Sequence, residues 1–249
     1  MLKRYFSILI GCMLCAMAAS AQSTYVIVHG AWGGSWQFKN TGKLLQEAGQ
    51  TVYRPTLTGL GERHHLYNPS VNLTTHITDV VNTILFENLT DVILVGHSYG
   101  GMVVTGVADS LPDRIKKVIY LDAIIPEENK SAIQSLGMEE SQASNSFKVN
   151  DGVIVPAWVR DTTITPRDVP HPVATFVQPL AYSAARLSNI PKTYIFTYEN
   201  SRGGKEKDDF YRFYQKAKKE NWKIVELEAS HNPQIDKLQE LVAILLEEK

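Results

Sequence analysis

The sequence predicts an α/β fold: a mostly parallel sheet of about six strands, flanked by helices and carrying a small cap insert. Three observations predict it. Short β-rich runs alternate with helical stretches, the pattern of strands whose crossover helices cover both sheet faces. The run DVILV at 91–95 is wholly apolar from Val92 onward, as a central parallel strand buried on both faces should be. One stretch, about 126–189, is rich in Pro, Ser and Asn and breaks the alternation. It is too long for a simple loop and reads as a cap over the sheet.

The first 21 residues read as a leader rather than part of the fold. Lys3 and Arg4 precede an apolar run from Tyr5 to Ala18, and Ala19-Ser20-Ala21 supplies the small residues of a cleavage site before Gln22. The expectation is an exported protein, periplasmic or secreted, without stable membrane insertion. A rival is lipidation at Cys12, whose preceding Leu9-Ile10-Gly11 resembles a lipoprotein signal. The residues after Cys12 stay apolar, where a polar tether should begin. Cys12 and Cys15 both lie in this leader, so the mature chain would hold neither disulfide nor thiol chemistry.

The remaining 228 residues suit one domain, 22–249. YVIVH at 25–29 is the first strand, followed by a Gly/Trp loop and a helix ending near Gly49. Residues 51–54 form a second strand stopped by Pro55. A Gly-rich loop at 57–65 leads to a helix over about 74–89. After the DVILV strand a helix runs to about Ser110, and KVIYL at 117–121 is the next strand. Beyond the cap come a strand at 193–198, a helix near 208–220, a strand at 223–227 and a final helix from Ile235. The formal charge is −1, or −3 without the leader, and no Lys/Arg run is dense enough to track phosphates. Nucleic acid is therefore not an expected partner. The mixed charges of 205–219 fit a solvated helix face.

The strongest chemical signal is Gly96-His97-Ser98-Tyr99-Gly100, a G-x-S-x-G pentapeptide between a strand and a helix. A turn that tight needs small residues around the serine and pushes its hydroxyl above the sheet edge. A serine hydroxyl needs a base to take its proton. His231, in the loop after the last strand, is that candidate. Backbone N–H groups of Tyr99 and Ala31 are the expected oxyanion donors. Gly30, Trp32 and His97 are the residues expected nearest a substrate, although neighbours in a sharp turn point apart and His97 also reads as packing support. His64, His65, His76 and His171 show no metal-ligand spacing and default to structural roles. No metal or cofactor is called for.

VHGAWGGSW (28–36), TLTGLGERHH (56–65), VGHSYGG (95–101), VIYLDAIIPE (118–127) and ELEASHNP (226–233) carry a family likeness. The chain resembles the α/β-hydrolases that include plant methyl esterases and hydroxynitrile lyases, and more closely their bacterial carboxylesterase relatives. The resemblance implies serine-dependent hydrolysis of a small carboxylic ester through an acyl-enzyme. It covers nearly all of 24–249 and is weakest in the cap. The lyases carry a threonine where Gly30 stands and a lysine where Asn232 stands, so both departures favour ester hydrolysis.

In the plant relatives the acid follows the strand equivalent to 193–198, where this chain aligns Asn200. Asp122 and Glu199 are the two carboxylates that could replace it. Asp122 is favoured because it leaves a strand at the sheet edge where the site must lie, and a buried carboxylate there needs a partner. Trp32, Phe147, Trp158 and Phe176 are candidates to line an apolar pocket for a hydrophobic or aromatic ester. The alternatives are lactone or amide hydrolysis on the same residues, or a non-catalytic small-molecule-binding protein on the same scaffold.

Overall fold

The computed structural model describes residues 22–139 and 147–249; the expected leader, with Cys12 and Cys15, lies outside them. The chain runs β1 (Thr24–Val28), α1 (Lys39–Glu47), β2 (Thr51–Tyr53), α2 (Leu73–Phe86), β3 (Val92–His97), α3 (Gly100–Ser110) and β4 (Ile115–Leu121). An insert then carries α4 (Ala132–Ser135), β5 (Val149–Asn150), β6 (Val153–Ile154), β7 (His171–Pro172) and α5 (Ala174–Val177). The main fold resumes with β8 (Lys192–Tyr198), α6 (Tyr211–Lys219), β9 (Lys223–Glu228), α7 (Pro233–Asp236) and α8 (Leu238–Glu247).

Six strands form one sheet in the order β2-β1-β3-β4-β8-β9, and every pair is parallel. From β1 the chain steps outward to β2, then returns to β3 on the other side and continues outward. The order therefore reverses between β1 and β3, and the crevice beyond their C-terminal ends is where ligands bind in such sheets. Val28 pairs with Gly96 at this point, so the loops beginning at His29 and Ser98 leave side by side.

Period-two alternation divides the strand residues between two cores. Val26, Val28, Leu94, Val118, Tyr120, Tyr194 and Phe196 face α2, α3 and the insert. Tyr25, Ile27, Ile93, Val95, Ile119, Leu121 and Ile195 face α1 and α8, where Leu45, Leu241 and Leu245 meet them. The helix α2 starts on a capping box, in which the Asn72 side chain accepts the Thr75 N–H and Thr75 Oγ1 accepts the Asn72 N–H. The insert holds a small antiparallel sheet, β5-β6-β7, and is clamped to the main fold by Trp32 and α2.

The expected final helix is divided in two. Asn232-Pro233 opens α7 early, because proline suits a first helical turn. Lys237, at φ −132°, then interrupts it before α8.

Candidate active site

Ser98 stands between β3 and α3 at φ +55°, a conformation costing a non-glycine residue roughly 1–2 kcal/mol. Its backbone is fully engaged: the N–H donates to the Leu121 carbonyl at 3.2 Å, and its carbonyl accepts from Ile124 at 3.0 Å and Gly101 at 3.1 Å. Backbones approach closely here. A Cβ on Gly101 would lie 2.0 Å from the Ile124 carbonyl oxygen, and one on Gly100 would lie 2.9 Å from those of Val28 and His29. Only glycine permits that approach.

His231 reaches Ser98 from the turn after β9, its Nε2 2.9 Å from Ser98 Oγ. The ring packs against His97, with centroids 4.8 Å apart, and stacks on Phe210 at 4.7 Å. His97 Nε2–H donates to the His231 carbonyl at 2.8 Å, fixing the turn. Asp208 orients Phe210 by accepting its N–H at 2.8 Å, and burial raises the Asp208 carboxyl above its usual range.

Asp122 ends β4 with its side chain buried, and its φ is also positive, +41°. Its N–H donates to Ile195 O at 2.7 Å. Its Oδ2 lies 2.6 Å from His231 Nδ1, and its Oδ1 accepts the Thr197 N–H at 3.3 Å. An ionised carboxylate only accepts, so Nδ1 of neutral His231 carries the proton and the Nε2 lone pair faces the Ser98 hydroxyl. Glu199, the alternative acid, is not brought to His231. It lies one residue beyond β8, where a short 3-10 helix begins at Asn200, and its carboxylate pairs with Arg202 at 3.3 Å.

The loop after β1 lies alongside the elbow. A Cβ on Gly30 would sit 3.0 Å from both His97 Nδ1 and Ser98 Cβ, so a side chain there would crowd the serine. No acceptor among the described residues takes the backbone N–H of Ala31 or of Tyr99. Trp32 is at φ +63° and is held from the insert: its N–H donates to His171 Nδ1 at 3.1 Å, its carbonyl accepts from Val169 at 2.8 Å, and its indole N–H donates to Ile154 O at 3.0 Å.

Around Trp32 the four aromatic candidates do come together. Phe147, Trp158 and Phe176 lie at centroid distances of 6.3, 4.9 and 6.0 Å from it. Phe176 is buried and stacked on Tyr99 at 5.1 Å, whereas Trp158 is 57 % exposed. A cavity of about 610 Å³ lies elsewhere, between α3, β4, the insert and the end of α6, lined by Thr105, Tyr120, Tyr182 and Trp222 and by neither Ser98 nor His231.

His97 was expected near the substrate. It is instead 2 % exposed, with its ring against Phe38 and His231, and burial lowers its pKa to about 3. Burial likewise lowers His29 to about 4, His76 to about 3, and His171 well below the usual range. His76 sits under Tyr99, accepting its hydroxyl hydrogen at Nδ1 (3.1 Å) and donating from Nε2 to Thr58 O (2.9 Å). Sequence reasoning missed Phe210 and the link from His171 to Trp32. The latter joins residues 139 positions apart, so no local pattern signals it. Among the described residues no group of three or more His, Cys, Asp or Glu is placed to hold a metal, and no helix is long and apolar enough to cross a membrane.

Residues 25–244 match the model of the alpha/beta hydrolase family. A carbendazim hydrolyzing esterase of Nocardioides sp. (strain SG-4G) is 36% identical over 239 residues, covering 88% of this chain and 96% of that protein. The alpha-hydroxynitrile lyase of Arabidopsis thaliana is 31% identical over 109 residues, and the match spans only 40% of its length. Among solved structures, an extracellular alpha/beta-hydrolase from a Paenibacillus species superposes with a TM-score of 0.74 at 24% identity, covering 90% of this chain and 98% of that one. The sheet order, the strand–serine–helix elbow and a match over nearly the whole chain agree, and the chain belongs to the alpha/beta hydrolase family.

Proposed function

We propose that this hydrolase cleaves a small, hydrophobic or aromatic carboxylic ester through an acyl-enzyme. The observation that carries the reading is the unbroken chain Asp122–His231–Ser98, with contacts of 2.6 and 2.9 Å. The esterase relative that spans nearly the whole chain supports it.

Ser98 Oγ attacks the ester carbonyl while its proton passes to His231 Nε2, and Asp122 stabilises the imidazolium that forms. The Ala31 and Tyr99 N–H groups bind the oxyanion, each contributing about 3 kcal/mol to the barrier reduction. His231 returns the proton to the leaving alcohol as the C–O bond breaks. Water, deprotonated by His231, then attacks the acyl-enzyme and releases the acid and free Ser98. The aromatic cluster around Trp32 gives the ester's apolar part a surface to pack on, and Gly30 leaves room beside the serine that a branched side chain would fill. Export of the chain by its first 21 residues belongs to the same proposal and places this chemistry outside the cytoplasm.

The test is p-nitrophenol release from p-nitrophenyl acetate by the purified chain and by Ser98→Ala, with carbendazim as a second substrate. Turnover that falls by about 10⁴-fold or more in the variant is expected. Equal slow release by both proteins would sink the serine mechanism.

A further inference from the structure

We propose that His171, a residue of the insert, is a positioning residue of the oxyanion hole: it holds the Ala31–Trp32 peptide by accepting the Trp32 N–H. This rests on the reading above that Ala31 is an oxyanion donor. Trp32 follows Ala31 directly and is at φ +63°, a conformation a bulky residue keeps only when its surroundings enforce it. Three hydrogen bonds enforce it here, and every partner comes from the insert. Val169 and Ile154 act through backbone groups that any residue supplies. His171 acts through a side chain and is the one that substitution can remove.

The hydrogen-bond directions around His171 leave one solution. The Trp32 N–H can only donate, so His171 Nδ1 is bare and the ring proton is on Nε2. That proton goes to Thr175 Oγ1 at 2.7 Å, and the Thr175 hydroxyl donates onward to the Pro172 carbonyl at 2.8 Å. The chain ends on an acceptor and every donor is satisfied. An apolar side chain at 171 would leave the half-buried Trp32 N–H without its partner, and the loop would relax to find another. The same segment holds the other donor. The His171 ring meets Tyr99 edge-on at 4.9 Å, and Phe176, also of the insert, stacks on Tyr99 at 5.1 Å. Both oxyanion residues are thus set by the insert, and the site is complete only when the insert is seated.

If His171 merely filled space, any ring would serve. The test therefore compares His171→Phe, which keeps a ring without an acceptor, His171→Leu, which is smaller, and His171→Asn, whose Oδ1 falls where Nδ1 stood. Steady-state kinetics and amide hydrogen exchange at Trp32 are measured on the purified chain, with thermal unfolding alongside. The expected result is a kcat lower by roughly 10- to 100-fold in the Phe and Leu variants, with KM changed less than about twofold and Trp32 exchange faster. The Asn variant recovers most of both. Wild-type kcat in the Phe variant, an Asn variant as impaired as the Phe variant, or unchanged Trp32 exchange would overturn the proposal. Absence of Ser98-dependent turnover in the wild type would instead defeat the esterase reading. The exchange measurement would still decide whether His171 holds the peptide.

Discussion

Ser98 and Asp122 both occupy positive-φ positions, at +55° and +41°, immediately after adjacent parallel strands. The two strained residues are held by backbone hydrogen bonds to the next strand along, Ser98 to Leu121 and Asp122 to Ile195. Strain of this kind persists where the surroundings over-determine it, and it aims both side chains at the gap that His231 fills. Asp122→Asn should lower kcat by up to about 10⁴-fold, because an amide favours the wrong His231 tautomer. Glu199→Gln, which only releases Arg202, should leave kcat within about twofold. Comparable losses in both variants, measured by ester turnover, would contradict this assignment. Ser98 was legible in the sequence because a strand, five residues and a helix define an elbow locally. The acid was not. Asp122 and Glu199 each follow a strand, and only the sheet order, which puts β4 beside β3, decides which carboxylate meets His231.

The elements show what each level of pattern could foretell. The strands β3, β4 and β8 and the helix α3 were readable because their residues are apolar on both faces or alternate cleanly. The break between α7 and α8 was not, since it depends on Lys237 leaving the helical region after the turn that carries His231. Nor was the seat of the insert, whose bonds to Trp32 span well over a hundred residues. The packing of α3 against the loop after β4 yields a contrast. Gly101→Ala places a methyl 2.0 Å from the Ile124 backbone oxygen, whereas Gly106→Ala meets the flexible end of Ile77 at 2.3 Å. The first cannot relax without moving the loop that follows Asp122. It should destabilise the protein by about 3 kcal/mol or more, and the second by about 1 kcal/mol. Urea unfolding of the two variants compares them directly, and equal midpoints would refute the argument.

At the scale of the whole molecule, four of the seven histidines are buried and neutral: His29, His76, His97 and His171. Burial holds their pKa values at about 4, about 3, about 3 and well below normal, respectively. In the unfolded chain they titrate near 6.5, so below that pH the unfolded state binds protons that the native state refuses. Their contribution is intact above about pH 6.5 and is lost as pH falls below it, down to about 4 for His29 and about 3 for His76 and His97. Each removes about 1.4 kcal/mol per pH unit in that window, and four together about 5 kcal/mol per unit. Against a total stability of about 5–15 kcal/mol, unfolding should have its midpoint near about pH 5, before most carboxylates protonate. Tryptophan fluorescence across a pH titration measures it. A chain that stays folded at about pH 4 would show that the histidines do not dominate acid stability.

The carboxylate at His231 leaves from β4, and this frees a different part of the chain. The turn after β8 carries Glu199, Asn200 and the left-handed Gly203 and Gly204, and it is largely exposed. Nothing in it up to Lys207 touches Ser98 or His231, so drift in length or composition there meets no chemical veto. Doubling such a loop costs only about 0.6 kcal/mol of closure entropy. A short peptide inserted between Gly203 and Gly204 should leave ester turnover within about twofold of the parent. That turn is where this hydrolase can take on a surface handle, a tether or a new partner without renegotiating its active site.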